Sequence, residues 1–209
     1  MKLIHTIPVF LLFTAGIPFA HAQAGSFNVH AGLGTATDSS SNQQIDTFGT
    51  GIPYTTPKMG GLFADLGADF MFSKHYGVGA DLSWKGSQGA YAGLNYRPLF
   101  YTFDAIVEPT HSKRFVPELR AGLGGVSLRY SYTQRFCDQF TGCSTSNQYL
   151  ESSNHFQAHM EAAARFYVTD RVFVRPAVEA HYINNFFQFG SNWVPQYSIG
   201  VGYSFGNRE

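Results

Sequence analysis

The feature that most constrains the fold is a two-residue alternation of apolar side chains with polar or small ones, repeated in eight segments after residue 25. The clearest example sets Phe156, Ala158, Met160, Ala162, Ala164 and Phe166 against Gln157, His159, Glu161 and Arg165. Because neighbouring side chains of a strand point to opposite faces, this pattern predicts β-strands with one apolar face. The segments are about as long as strands that cross a bilayer.

The eight strands are predicted near residues 26–37, 59–72, 76–85, 91–107, 115–130, 155–168, 172–184 and 195–205. Long connections (39–58, 86–90, 131–153, 185–194) alternate with short turns (73–75, 108–114, 169–171), which is typical of an outer-membrane barrel. Pro98 predicts a bulge or an irregular upper end in the fourth strand, and Pro176 a break in pairing in the seventh. A bulge is also expected after Gly125, where the alternation blurs.

Periodicity alone does not say whether the apolar face meets lipid or fills the interior of a soluble, lipocalin-like barrel. Charged residues make up only 13% of the chain, about half the usual share for soluble domains. The face opposite the apolar one has almost no Lys and carries charges of both signs, which suits a closed interior where they can pair. The predicted fold is therefore all-β, an eight-stranded antiparallel transmembrane up-and-down β-barrel. Its expected lumen charge network is Asp65, Asp69, Asp81, Asp104, Glu118, Arg120, Glu161, Arg165, Arg175 and Glu179.

The N-terminus predicts export. Lys2 precedes an apolar run from Ile7 to Ala20, and Ala20-His21-Ala22 forms an A-x-A cleavage site. Residues 1–22 are thus expected to be a cleaved signal peptide and residues 23–209 the barrel, although cleavage after Ala24 also fits the pattern. An uncleaved anchor is less favoured because the run is short for a spanning helix.

The two cysteines, Cys137 and Cys143, lie in one polar, turn-rich stretch. In an oxidising periplasm they are expected to form a disulfide that closes a small loop tip.

Aromatic residues gather near the predicted strand ends and suggest two girdles. One comprises Phe70, Phe72, Tyr76, Phe166, Phe173 and Phe205 at the periplasmic side, and the other Trp84, Tyr91, Tyr182, Trp193 and Tyr197 at the outer side.

The last strand, residues 196–205 with the sequence QYSIGVGYSF, resembles the terminal strand that the outer-membrane assembly machinery recognises. With the preceding strands, the chain resembles small outer-membrane β-barrel proteins of the OmpX, OmpA transmembrane-domain and opacity-protein type. The resemblance implies an integral outer-membrane location, with outer-membrane lipid, lipopolysaccharide and the assembly machinery as partners. The chain departs from this pattern by continuing to Glu209 after the terminal aromatic residue.

Motifs for chemistry are sparse. His155 and His159 would share a face on a helix, but on a strand they lie too far apart to bind one ion. Lipid A deacylases of this architecture carry an H-x-S pair, and here Ile183 follows His181-Tyr182 where the serine would stand. No catalytic residue, metal site or cofactor is predicted. The formal charge of zero gives no indication of nucleic-acid binding.

Eight strands leave an interior just wide enough for side chains to fill, so the lumen is expected to be mostly plugged. The sequence therefore predicts a non-enzymatic envelope component, or a surface binding or adhesion protein that contacts an extracellular ligand through loops 39–58 and 131–153. A lipid-modifying enzyme and a narrow channel remain as alternatives.

Overall fold

The structure is a computed structural model that describes residues 25–38, 42–46, 48–110, 112–138 and 142–206. The predicted signal peptide lies outside these residues. The described strands are β1 (Ser26–Ala36), β2 (Gln44–Ile45), β3 (Tyr54–Thr55), β4 (Phe63–Met71), β5 (Tyr76–Lys85), β6 (Gly89–Tyr91), β7 (Leu94–Val107), β8 (Phe115–Asp138), β9 (Gly142–Tyr167), β10 (Val172–Ile183) and β11 (Trp193–Phe205). One 3₁₀ turn is formed by Phe187–Phe189.

Eight long strands close into a barrel in the order β1, β4, β5, β7, β8, β9, β10 and β11, with β11 returning to β1. Every pairing in the ring is antiparallel, including the closing pair β1–β11. The prediction of an eight-stranded up-and-down barrel is therefore confirmed. Strands β2 and β3 form a small separate hairpin in the first long connection.

The two-residue alternation separates the outer wall from the lumen. On β9, Phe156 and Met160 are 57% and 54% exposed, whereas the intervening His159 is 2% exposed. The same holds on β10, where Val178 faces outward and Arg175 is buried. An apolar band consequently covers the outside of the barrel, and most ionisable strand residues lie inside.

The fourth predicted strand is divided. Gly89–Tyr91 forms β6 and folds back on β7 through Ala92 and Gly93, which take left-handed φ angles of 49° and 79°. The expectation of a plain loop at 86–90 is therefore wrong. Pro98 causes no bulge, since it stays in register with Leu128 of β8. On its other side β7 changes partner at this point, from β5 at Leu99 to β6 at Tyr96, so the upper end is irregular and no partner there requires the missing N–H.

The expectation of a loop at 131–153 is also wrong, because most of this segment extends strands β8 and β9. The two strands remain paired as far as Asp138 and Gly142, and their register shifts between Tyr130 and Ser131 rather than after Gly125. Beyond Ser131, β8 leaves the ladder of β7, so the hairpin projects past the rest of the barrel.

The predicted break at Pro176 is present. Strand β10 pairs with β9 at Val174 and resumes at Ala177 in the same register, so Arg175 and Pro176 are left out of that ladder. On the other side Pro176 stays in register with Ile199 of β11.

Candidate functional site

The barrel interior holds a layer of ion pairs centred on Glu118, which is 1% exposed. Its carboxylate accepts hydrogen bonds from Arg120, Arg165 and Arg175, the last at 2.8 Å between Oε1 and Nη2. Three guanidinium groups from β8, β9 and β10 thus meet on one carboxylate. A cluster of this kind links neighbouring and distant strands across the lumen.

Further carboxylates surround these three cations. Asp69 Oδ1 lies 2.8 Å from Arg120 Nη2, and Asp81 Oδ2 lies 2.7 Å from Arg120 Nη1. Glu161 binds Arg175 directly. The layer therefore contains seven of the ten predicted lumen residues, and it connects β4 and β5 to the opposite wall.

The remaining three predicted residues lie in the lumen but have other partners. Asp65 accepts a hydrogen bond from the Gln196 side chain at 2.9 Å. Asp104 contacts Thr102 and His159, and Glu179 accepts a hydrogen bond from the Ser198 hydroxyl at 3.0 Å. These groups form a second polar layer without guanidinium contacts among the described residues.

Two members of the ion-pair layer were missed by the sequence analysis. Glu108, placed in a turn, is 1% exposed and its Oε1 lies 3.0 Å from Arg165 Nη1. His30 Nε2 lies 2.9 Å from Asp81 Oδ1. His30 already stood on the polar face of the first predicted strand, so its luminal position could have been found; Glu108 carried no such signal because it follows the end of an alternating segment.

Towards the long-loop end, the lumen is apolar instead of polar. The buried side chains there are Ala36, Met59, Phe63, Tyr91, Tyr96, Phe100, Val126, Leu128, Ile183, Phe186, Phe189 and Val194. Phe186 and Phe189, from the last long connection, stack with ring centroids 4.2 Å apart. We call these twelve residues the apolar plug.

Two aromatic residues that were assigned to the girdles lie inside the barrel. Tyr91 belongs to the apolar plug, and Phe173 is buried in the lumen. Both assignments were wrong because these rings occupy inward strand positions.

The β8–β9 hairpin ends in a disulfide between Cys137 and Cys143, which face each other across the two strands. Seven residue pairs, from Tyr132 with Gln148 to Asp138 with Gly142, lie beyond the ladder of β7. At about 3.3 Å per residue this outer hairpin is roughly 23 Å long. Near its tip and base, Phe136, Tyr149 and Leu150 are 57%, 53% and 52% exposed.

His155, considered in the sequence as a metal ligand with His159, lies above the ion-pair layer and contacts Ser153. The Ser153 hydroxyl and His155 Nε2 are 2.8 Å apart, and the imidazole packs edge-on against Phe186. His181 and Ile183 stand where a lipid A deacylase would carry its H-x-S pair. Both side chains face the lumen and are buried, and Ile183 supplies no hydroxyl.

Among the described residues, no helix is long and apolar enough to cross a membrane. No curated protein sequence matches the chain. Solved structures that share its fold include the following three. Neisserial surface protein A is 14% identical over 88% of this chain and 100% of its own, with a TM-score of 0.56. Ail of Yersinia pestis, in complex with the heparin analogue sucrose octasulfate, is 12% identical over 87% and 99%, with a TM-score of 0.52. The outer membrane protein OprG of Pseudomonas aeruginosa is 18% identical over 88% and 98%, with a TM-score of 0.51.

The profile of the outer membrane protein β-barrel domain matches residues 6–205, which is nearly the whole chain. The apolar outer band and the charged lumen are what a β-barrel in the outer membrane requires. The chain therefore belongs to the family of outer membrane protein β-barrel domains and is an integral protein of the outer membrane.

Proposed function

We propose that the protein is a surface-binding protein in which the barrel is a closed membrane anchor and the outer hairpin contacts the ligand. Short turns of such barrels face the periplasm, which puts the outer hairpin outside the cell. The observation that carries the proposal is the contrast between a lumen blocked twice, by the ion-pair layer and by the apolar plug, and a hairpin that projects from it.

The composition of the outer hairpin favours a protein ligand. Arg135 and Asp138 give its tip one charge of each sign, so it offers no basic surface for a polyanion. The exposed Phe136, Tyr149 and Leu150 provide apolar contact area, and aromatic residues are enriched where protein interfaces form.

The first long connection offers a second contact surface. Its small β2–β3 hairpin carries Phe48 and Ile52, which are 57% and 58% exposed, and Phe48 packs edge-on against Tyr54. Both surfaces correspond to the two loops, 39–58 and 131–153, that the sequence singled out.

Adhesion tests this proposal. Cells that carry the protein are compared with vector-only cells for attachment to plates coated with extracellular-matrix proteins. The variant replaces residues 131–150, which include Phe136, Tyr149 and Leu150, with an Asn-Gly turn that suits a two-residue hairpin and keeps the barrel ladders up to Tyr130. We expect attachment by wild-type cells and its loss in the variant. Equal attachment by the variant contradicts the outer hairpin as the contact surface. No attachment by wild-type cells contradicts a binding role and leaves a structural envelope role.

A lipid-modifying enzyme is the second candidate, and it rests on the Ser153–His155 contact, a distance suitable for a nucleophile and its base. Both residues are half-buried on the inner face of β9, away from lipid. The described contacts of His155 are to Ser153 and Phe186 and supply no carboxylate to orient the imidazole. We therefore propose a non-enzymatic role. Mass spectra of lipid A from cells with and without the protein should be identical, and a shifted species would favour the enzyme.

The remaining partners and the signal peptide are inferred from the outer-membrane location. We propose contacts of the outer band with outer-membrane lipid and lipopolysaccharide, insertion by the assembly machinery through β11, and removal of residues 1–22. N-terminal sequencing of the mature protein checks the cleavage site.

A further inference from the structure

Three potential metal ligands converge in the second polar layer of the lumen. His159 on β9 and His181 on β10 are cross-strand partners, and their rings stack with centroids 4.9 Å apart and planes inclined by 25°. Glu179 stands two residues before His181 on the same inner face. Its Oε2 lies 3.5 Å from His181 Nε2 and 3.7 Å from His159 Nε2. The three ligand atoms lie within 4.8 Å of one another.

The hydrogen bonding of His159 prepares one ring nitrogen for a metal. Its Nδ1 lies 2.9 Å from Asp104 Oδ1, and Asp104 also accepts a hydrogen bond from the Thr102 hydroxyl at 2.8 Å. A neutral imidazole has a single N–H, so a proton directed at Asp104 leaves the Nε2 lone pair free on the side of Glu179. Histidine ligands of metal ions are commonly oriented by a carboxylate in this way.

His181 is an independent indication of a missing partner. The residue is 1% exposed, and neither ring nitrogen has a hydrogen-bond partner among the described residues. Its ring is held between those of His159 and Phe100, the latter 4.8 Å away between centroids. Buried polar groups without partners are rare and call for an explanation.

We propose that His159, Glu179 and His181 bind one divalent transition-metal ion, with Zn²⁺ the preferred ion and Asp104 a positioning residue. Two imidazoles and one carboxylate are an established zinc ligand set. Tetrahedral Zn²⁺ with ordinary bond lengths separates its ligand atoms by about 3.3 Å, close to two of the observed separations. The three ligand atoms lie within 4.8 Å of one another, so the ion would draw the two imidazoles together by a small side-chain adjustment.

A cavity of about 20 Å³ lies on the other side of Glu179, lined by Ser198 and Arg175 but by neither histidine of the cluster, and it is large enough for one water molecule near the cluster. The surroundings also favour a cation, since eight carboxyl groups of the described lumen face only three guanidinium groups and the Lys85 ammonium. The carboxyl groups are those of Asp65, Asp69, Asp81, Asp104, Glu108, Glu118, Glu161 and Glu179, and the guanidinium groups those of Arg120, Arg165 and Arg175.

The ion would join β9 to β10 and, through Asp104, to β7. Because the apolar plug and the ion-pair layer close the lumen on either side of the cluster, we expect the metal to enter during folding and to be retained afterwards. This structural role is independent of ligand binding by the outer hairpin.

The test is refolding of the full mature chain from urea into detergent with Zn²⁺ as the only added metal. Free metal is then removed by desalting in the presence of a chelator, and the bound metal is measured by mass spectrometry. We expect one zinc ion per barrel in the wild type. His181→Phe, which keeps the stack with Phe100 but removes a ligand, should lose it. His30→Gln is the matched control, because it alters another buried luminal histidine outside the cluster, and it should retain the metal.

A wild-type barrel without zinc overturns the proposal, and so does equal zinc in His181→Phe. Refolding the wild type with Co²⁺ supplies a readout that does not depend on the folding of a variant. The visible absorption of four-coordinate Co²⁺ with nitrogen ligands is expected, and the spectrum of hydrated Co²⁺ contradicts the site. The barrel with the shortened outer hairpin should bind metal as the wild type does, which separates this result from the adhesion result.

Discussion

Replacing Glu118 with glutamine should destabilise the barrel more than any other conservative change of a luminal carboxylate. The substitution keeps the volume and removes the charge that Arg120, Arg165 and Arg175 share. Each charge-assisted hydrogen bond contributes about 1.5–3 kcal/mol. The full sum will not be lost, because the glutamine oxygen still accepts and Asp69 and Glu161 remain on the three cations. Breaking a buried ion pair costs about 3–5 kcal/mol, and we expect a loss within that range.

The assay is urea unfolding of protein refolded into lipid vesicles, followed by tryptophan fluorescence and by the heat-dependent mobility of the folded barrel in SDS. With an unchanged m value, the shift in midpoint gives the loss of unfolding free energy. Asp65→Asn is the matched control, since Asp65 contacts the neutral Gln196 amide and an asparagine oxygen still accepts that bond. The control should lose less than about 1 kcal/mol. Equal midpoints for the two variants would refute the view that Glu118 is the centre of the network.

Three further outcomes are expected. Gly67→Val places a side chain where the His30 ring and the Asp81 carboxylate now lie, and in the same urea assay it should lower the free energy of unfolding by about 1–3 kcal/mol. Gly60→Val is the control, because the space around Gly60 is open, and it should change this free energy little. Serine at both cysteines should leave the unfolding midpoint of the barrel unchanged but speed trypsin cleavage after Arg135 roughly tenfold, because the closed tip loses its restraint; an unchanged cleavage rate would show that the hairpin ladder alone holds the tip. The wild-type protein in planar bilayers should give no discrete conductance steps. Regular steps would show that the ion-pair layer and the apolar plug leave a path for ions through the lumen.

The strands that meet lipid on one face were predictable from the sequence. Tyr76–Lys85 has the predicted bounds, and the neighbouring strands differ by a few residues, because an apolar outer face and a polar inner face make the two-residue period visible. The outer hairpin was missed for the converse reason. Its residues have water on both faces, so Ser, Thr, Asn and Gln occupy both sides and no period remains.

The interior was predictable in composition but not in arrangement. Alternation identifies which side chains point inward, and it placed His159, Glu179 and His181 on that face. It does not give the register that sets His159 beside His181, because that depends on how two strands pair across the turn between them. Phe173 was assigned wrongly for another reason: its aromatic type suggested the lipid interface, although alternation with Val172 and Val174 places it on the inner face. Tyr91 was assigned wrongly because it belongs to β6, which folds back on β7.

The pairing of β1 with β11 has a consequence for biogenesis. Phe27 lies opposite Phe205, so the seam that closes the cylinder joins the first strand to the last and cannot form until the whole chain has been made. Before the seam forms, each of the two strands has one edge of unpaired N–H and C=O groups. Such edges promote aggregation in water and are unfavourable in free energy in lipid. A chain truncated before β11 would retain two such edges permanently. Closure therefore distinguishes complete from truncated chains, since only a chain that includes β11 can form a barrel without free strand edges.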